Sequence, residues 1–559
     1  MTSSYIKYLI QQMLSDLKSA WHVLRVKGPD EVQFWFIALI VGVGAGFAAL
    51  GFRMGIEALQ TAVYGADDSR TLHSYLSALP WYWIISIPVI GGVVSGLLLQ
   101  WLTPDGRARS VADVIEGASL HKGRVETRAG IGSALASLVT LSTGGSSGRE
   151  GPVVHLAGVI STWVSDRINA SGITGRDLLG CAVAGAVSAS FNAPIAGALF
   201  ALEVVLRHFA VHAFAPIVIA SVAGTVVNRL QFGNVTEFVL KSNNEMQFYI
   251  ELPAFLILGL ISGLVAAIFM RSVFFAEHAG DQLQARWRIP GWLRPGLSGL
   301  ILGVMAVFFP HIIGVGYETT SAALTGKLLF FQAVIFVILK CVAVAVTFGG
   351  RMGGGIFSPS LMIGAMTGLA FGMVATSIFP SVSGEETLYA LAGMGAVAAA
   401  VLGAPISTTL IVFELTGDWQ TGLAVMVAVS LSTALASRLV DRSFFLTQLE
   451  QRNIHIAAGP QAWLLATFSV ADVMRDRNHK DAAPEESCWE LVEQGIYVDG
   501  NATLEAAMPI FDNSGADFIP VVTLGGEDQP PELWGAIFEV DALHVFNDAL
   551  KETAAEEHS

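Results

Sequence analysis

The stretch Gly148-Arg149-Glu150-Gly151-Pro152 runs directly into Val153-Val154-His155-Leu156-Ala157-Gly158-Val159-Ile160, so an ionisable pair stands at the mouth of an apolar run. Gly144, Gly145 and Gly148 let the backbone turn tightly, and Pro152 suits the first turn of a helix. Glu150 is therefore expected at a helix N-terminus, beside amides with no intrahelical partner. Such an end attracts anions. A glutamate there, inside a membrane protein, is a candidate resident anion that competes with a mobile one.

The surrounding chain supports a membrane setting. Of 559 residues, 53% are hydrophobic and 14% charged, with 58 glycines and a mean hydropathy of +0.59, far from the soluble balance. Residues 1–32 lack an uninterrupted apolar core, since Asp16 and Lys18 break it; they read as a cytoplasmic amphipathic helix rather than a cleaved leader. Cys181, Cys341 and Cys488 are too widely spaced for a metal or disulfide framework and read as packing residues. The net charge of −15 belongs to residues 461–559, which hold 20 acidic and 4 basic residues. That tail reads as soluble and cytosolic, and it argues against a nucleic-acid partner.

From 33 to about 445, apolar stretches alternate with short polar breaks. Several, such as 194–206 and 404–416, fall short of the roughly 20 residues that cross a bilayer core. Broken helices are tolerated at membrane depth only where they are buried or line a cavity, which points to a permeation site. Two halves, 33–232 and 250–440, each carry a glycine-rich break before a helix start: Gly144 to Pro152, and Gly349 to Pro359. Each then places Ala-Pro at a helix start with a glutamate nine residues on, Pro194 with Glu203 and Pro405 with Glu414. Paired interruptions indicate an internal repeat with the binding site at its interface. Lys7, Lys18, Arg25 and Lys27, with Arg107, Arg109, Lys122 and Arg124, place both termini in the cytoplasm.

On these motifs the chain resembles the CLC family of chloride channels and proton-coupled chloride exchangers over about residues 33–450. Gly148 to Pro152 matches the family's G-(K/R)-E-G-P motif, and Gly355-Ile356-Phe357-Ser358-Pro359 its G-x-F-x-P motif. Phe191-Asn192-Ala193-Pro194, Lys340 and Thr347-Phe348-Gly349 match in type and order. The resemblance implies a homodimer in which each subunit holds its own anion pathway, with Glu150 as the gate. It implies chloride contacts from Ser110, from Gly148, Arg149 and Gly151, and from Gly355, Ile356 and Phe357, with Phe445 constricting the inner side. The localisation implied is multi-pass in the cell (inner) membrane.

Three departures from the family pattern bear on mechanism. Its G-S-G-I-P motif is Arg109-Ser110-Val111-Ala112-Asp113 here, which keeps the hydroxyl of Ser110 and loses the glycine turn; Arg109 either concentrates anions at the inner mouth or is a surface arginine. The family's pore tyrosine falls on Phe445, or on Phe444 if the register slips by one, without its hydroxyl. The family's exchangers commonly carry two adjacent glutamates after F-N-A-P. Glu203 fits the first, and Val204 stands where the second would accept protons from inside. Exchange and passive conduction both stay open.

For other polar residues the structural role is expected. Most glycines serve helix packing, His155 packs rather than relays protons, and Glu203, Lys340 and Glu414 find hydrogen-bond or helix-end partners. The membrane region offers no metal cluster, nucleophile pairing or phosphate loop that would make it an enzyme, and no cofactor is expected.

After a linker at 451–469, residues 470–550 read as strand (470–474), helix (502–507), two strands (518–522 and 534–538) and a closing helix near 541–550, before an acidic tail at 551–559. This resembles one cystathionine-beta-synthase-type (CBS) module, a type that works in pairs. Asp541 is present for an adenine nucleotide, but Phe538 stands where a hydroxyl belongs, which disfavours that ligand. The fold class expected is an all-α polytopic membrane protein, a two-repeat inverted bundle with broken helices, plus a small cytosolic α/β domain. The function expected is transmembrane chloride transport, with lipid as its surroundings and protons as the open second substrate; the alternative is a symporter for another small anion.

Overall fold

The computed structural model describes residues 29–558 except 67, 210, 234–237, 241–247, 381–382, 453, 455–463, 466–467, 478, 501 and 524–531. Residues 1–28 of the helix expected over 1–32, and most of the linker, lie outside the described residues, and Glu31 already begins the first membrane helix. Seven of the described helices are long and apolar enough to cross a membrane.

The first half begins with α1 (Glu31–Tyr64), the short α2 (Leu72–Leu76), α3 (Trp81–Leu102), α4 (Val111–Leu120) and α5 (Thr127–Ser142). The glycine break follows, then α6 (Glu150–Ile168), α7 (Gly172–Phe191), α8 (Pro194–Phe200) with a π-helical continuation Ala201–Leu206, and α9 (Val211–Phe232). The second half runs through α10 (Phe248–Trp287), α11 (Arg294–Phe308), α12 (Tyr317–Leu324) and α13 (Phe330–Gly349). After its own break come α14 (Phe357–Ile378), α15 (Glu386–Leu402), α16 (Pro405–Thr416) and α17 (Trp419–Leu439), and α18 (Phe444–Glu450) closes the bundle.

The repeat is explicit around the breaks. The Gly145 amide donates to Thr140 O and the Met352 amide to Thr347 O, 207 positions later in both donor and acceptor. Gly144 (φ 110°) and Arg351 (φ 55°) hold the same left-handed turn. Gly148 and Gly355 then exchange two amide–carbonyl bonds, each 2.7 Å, as an antiparallel bridge between the halves. A side chain at Gly355 would put its Cβ 2.9 Å from the Gly151 nitrogen, so only glycine lets the two breaks meet.

The Ala-Pro helices show the sense of the repeat. The Glu203 carboxylate accepts from the amides of Ile406 (2.9 Å) and Ser407 (2.8 Å) at the start of α16. Glu414 in turn accepts from Ile195 (3.0 Å) and Ala196 (2.8 Å) at the start of α8. Each helix caps the other's beginning nine residues along its own course, so α8 and α16 run antiparallel and the repeat is inverted. Two carboxylates thereby satisfy amides that these short helices would otherwise leave bare at membrane depth.

Glycine lets the helices pack closely. A Cβ on Gly364 of α14 would lie 2.3 Å from Gly393 O of α15, the close approach expected of small residues in membrane bundles.

The tail forms a four-stranded sheet ordered β1-β4-β3-β2, from β1 (Arg475–Asp476), β2 (Val498–Asp499), β3 (Phe518–Thr523) and β4 (Glu532–Phe538). β2 pairs parallel with β3, and the other pairs are antiparallel. The strand expected over 470–474 is instead a helical turn, α19 (Val470–Val473), because the Ser469 side chain accepts from the Ala471 amide and caps it. Two further helices, α20 (Glu485–Glu493) and α21 (Leu504–Ser514), flank β2, and the closing helix α22 runs Glu539–His558. Leu464 and Ala549 pack with Ile173 at the start of α7, joining the tail to the bundle.

Candidate functional site

The bridge between Gly148 and Gly355 brings the starts of α6 and α14 together, and Glu150 lies at that junction, 1% exposed. Its Oε1 accepts a hydrogen bond from the Ser358 hydroxyl, and the amides of Glu150 and Ser358 also face the carboxylate. A side chain fixed to the first repeat thus occupies the N-terminal end of a helix in the second, where backbone dipoles favour negative charge.

Next to it lies a small cavity with about 260 Å³ of empty space, lined by Ser110 and Val111 of the first half, Gly151 of α6, and Gly354, Gly355, Ile356 and Phe357 at the start of α14; Phe348, Phe444 and Phe445 complete it. Of the residues expected to bind chloride, Ser110, Gly151, Gly355, Ile356, Phe357 and Phe445 meet here. Phe444 joins Phe445, their ring centroids 6.0 Å apart and near perpendicular, so both candidates for the pore-aromatic position border the same space. Phe357 is held between Phe191 (4.7 Å) and Phe200 (5.6 Å).

Gly148 and Arg149 do not line this cavity. The Gly148 amide is spent on the bridge. The Arg149 guanidinium donates to Ser190 O (3.1 Å) and borders a separate pocket with Arg53, His73, His311 and Glu318. The glycine turn missing before α4 is replaced by a side-chain cap, the Ser110 amide donating to Asp113 Oδ2 at 2.7 Å. Val204 is buried in the π-helical turn, while Glu203 is committed to α16.

A wider vestibule shares Ser110, Phe348 and Gly354 with the cavity. Arg107, Arg294, Arg351 and Arg452 line it against Glu277 and Asp281, an excess of positive charge that focuses anions toward the narrow site. Arg109 plays no part there. It is tied to Asp105 (2.9 Å) and Glu126 (2.8 Å) and lines a neighbouring cleft.

Lys340 is fully buried and donates to Ile312 O (3.1 Å) and Gly314 O (2.9 Å), pinning the loop before α12. His155 packs against Gly130, yet neither ring nitrogen has a hydrogen-bond partner among the described residues. In the tail, Arg475 grips Asp541 through two bonds (2.7 and 3.0 Å) and lies 4.0 Å over the Phe538 ring, so the carboxylate a nucleotide would need is engaged.

Ser358 is the site residue that reading the sequence passed over. It occupies the variable fourth position of G-x-F-x-P, and its signal was a hydroxyl one residue into a helix that faces a buried carboxylate.

Among known proteins, a eukaryotic CLC transporter matches in structure with a TM-score of 0.65 at 17% identity, over 93% of this chain and 98% of that one. A slow cyanobacterial Cl-/H+ antiporter matches with a TM-score of 0.67 at 22% identity, over 76% of this chain and 98% of that one. In sequence, the voltage-gated ClC-type chloride channel ClcB of Escherichia coli is 29% identical over 73% of this chain and 97% of its own length. Chloride channel protein CLC-f of Arabidopsis thaliana is 30% identical over 73% of this chain and 54% of its own. The family described as voltage gated chloride channel matches residues 91–437, and with the paired breaks, the reciprocal caps and the cavity at their junction, the chain belongs to that CLC family.

Proposed function

We propose that each subunit of a homodimer moves chloride through the Ser110–Phe357–Phe445 cavity, with Glu150 as the gate. The observation that carries this is the seat of the Glu150 carboxylate on the start of α14, where it occupies the position a dehydrated anion needs. Helix-end amides and the Ser110 hydroxyl bind chloride without a fixed cation, firmly enough to replace part of its water and weakly enough to release it. While the carboxylate is seated the path is shut; when it is protonated or displaced by a second chloride, the seat is free.

The test is chloride efflux from liposomes holding the wild-type protein, Glu150→Gln or Glu150→Ala. The expected result is that both variants lose the wild type's response to pH, and an unchanged response in them refutes the gate.

Exchange of chloride for protons is one form of this transport and passive conduction is the second. Val204 leaves the inner position of the path without an acid, so exchange needs another group to carry the proton there, while conduction needs none. A reversal potential that ignores an imposed pH gradient identifies conduction, and one that moves with it identifies exchange.

The small four-stranded α/β fold of the tail supports its reading as a CBS-type module, and such modules working in pairs is the ground for proposing that two tails pair across the dimer. Cysteine crosslinking between the two tails tests it, and tails that stay apart refute it.

A further inference from the structure

Beside the anion vestibule lies a second cleft, with about 610 Å³ of empty space, which the described mechanism does not use. Its wall is rich in carboxylates: Asp105 ahead of α4, Asp113 and Glu116 on α4, and Glu126 at the start of α5. The cations facing it are Arg109, Arg124 and Arg452, held by Asp105 and Glu126, by Asp166 and by Asp113 respectively. His121 pairs with Glu116 at the rim. These loops lie on the side that the positive-charge bias assigns to the cytoplasm.

At the inner end of the cleft stands His155. The residue is 1% exposed, lines the cleft, and leaves both ring nitrogens without partners among the described residues. A buried imidazole with no hydrogen bond calls for an explanation other than packing. Its place on α6 supplies one. His155 is one helical turn beyond Gly151, which lines the anion cavity, and helical side chains lean toward the N-terminus over the preceding turn. Glu150 begins the same helix five residues earlier, roughly 7.5 Å along its axis.

We propose that His155 is a proton-transfer residue linking the acidic cleft to Glu150, serving the inner route in place of the acid absent at Val204; this rests on the reading of Glu150 as gate. A proton from cytoplasmic water, concentrated by the cleft carboxylates, binds one ring nitrogen. The other nitrogen releases its proton to water in the anion cavity, and that water protonates the Glu150 carboxylate. The neutral carboxyl group then leaves the start of α14 as chloride enters, and the imidazole is neutral again. No net charge stays on the ring, which is left as the other tautomer and resets by a ring flip, and one proton reaches Glu150 for each one taken from the cytoplasm.

The experiment measures chloride and proton movement together in liposomes driven by a chloride gradient. Wild type is expected to move protons against chloride in a fixed ratio, and His155→Gln to lower that ratio at least tenfold while chloride still flows; a merely structural role would lower both fluxes together and leave the ratio intact. An unchanged ratio in His155→Gln overturns the proposal, as does a wild type that moves chloride without protons. Should His155→Gln not fold, the surface pair Glu116→Gln/Glu126→Gln serves: a several-fold lower ratio supports the acidic cleft as the source, and an unchanged ratio overturns it. Glu150→Gln separates the two readings, because a pH response unchanged in that variant refutes the gate whatever His155 does.

Discussion

Ser358→Ala isolates the hydroxyl that holds the Glu150 carboxylate at the start of α14. In the wild type the Ser358 hydroxyl donates to Glu150 Oε1 in a site sealed from water, with Ser358 itself 3% exposed. A hydrogen bond to a charged group contributes about 1.5–3 kcal/mol, and about 1.4 kcal/mol is a factor of ten in an equilibrium. Removing it should weaken the seated state of the carboxylate roughly 10- to 100-fold relative to the displaced state. If chloride competes with the carboxylate for the same helix end, as proposed, the chloride concentration giving half-maximal efflux from liposomes at fixed, symmetric pH should fall by a similar factor. A double-mutant comparison isolates the pair: with Glu150→Gln already in place, Ser358→Ala should shift that concentration less than about twofold. If Ser358→Ala raises it, or shifts it equally in both backgrounds, the hydroxyl serves the mobile anion and the reasoning is refuted.

Other expectations concern the scaffold. Glu203→Ala and Glu414→Ala each strip two amides of their acceptor, and Glu203 also holds the Ser407 hydroxyl (2.5 Å); each should cost about 2–4 kcal/mol, measured as denaturation of the detergent-solubilised protein, and a loss below about 1 kcal/mol would contradict the reciprocal caps. Gly364→Ala should cost about 1–3 kcal/mol by forcing α14 from α15, whereas Gly51→Ala, with nothing within 4 Å of its added Cβ, should cost nothing by the same measurement. His311 lies in the loop before α12, where burial, with His73 4.3 Å away, pushes its pKa down to about 4. The unfolded chain therefore binds the extra proton first, and stability should fall as pH drops from about 6.5 toward 4; thermal unfolding of His311→Phe, which keeps a ring against Phe336, should show a shallower slope, and an unchanged slope would contradict the assignment.

The bundle was legible in the sequence because membrane helices declare themselves by apolar length and their interruptions by glycine and proline. The two breaks, the two Ala-Pro starts and the residues Ser110, Gly151, Gly355, Ile356, Phe357 and Phe445 could all be read from local motifs. What stayed hidden is long-range. Glu203 and Glu414 each advertise a glutamate nine residues into a helix, but nothing local says that each caps the other's helix, a contact across about 200 residues. Arg109 looked free because Asp105, four residues back, pairs with it across a non-helical loop where no helix period could be read, and Glu126 lies 17 positions on. In the tail, Val470 to Met474 has a strand's composition, yet the cap from Ser469 turns it helical, and α20 has too few apolar residues to stand out from a loop.

With Glu150 proposed as the gate, the repeat explains why one glutamate can move and two cannot. Glu203 and Glu414 are equivalent, and each satisfies amides at the start of the other's helix; neither can leave without exposing a bare helix end in the opposite half. Glu150 has no such counterpart. Its equivalent, 207 positions on, is Phe357, whose ring packs against Phe191 and Phe200 and offers nothing to the start of α6. The two helix starts at the junction therefore have one carboxylate between them, and the amides it serves can be satisfied as well by a mobile anion. A symmetric pair of carboxylates there would close both ends as firmly as at α8 and α16. On the reading of Glu150 as gate, breaking the symmetry at one position turns the same capping chemistry from a fixed brace into an exchangeable seat, so Phe357→Glu, which makes the pair symmetric, is expected to abolish chloride efflux in the liposome assay, and efflux at the wild-type rate refutes this.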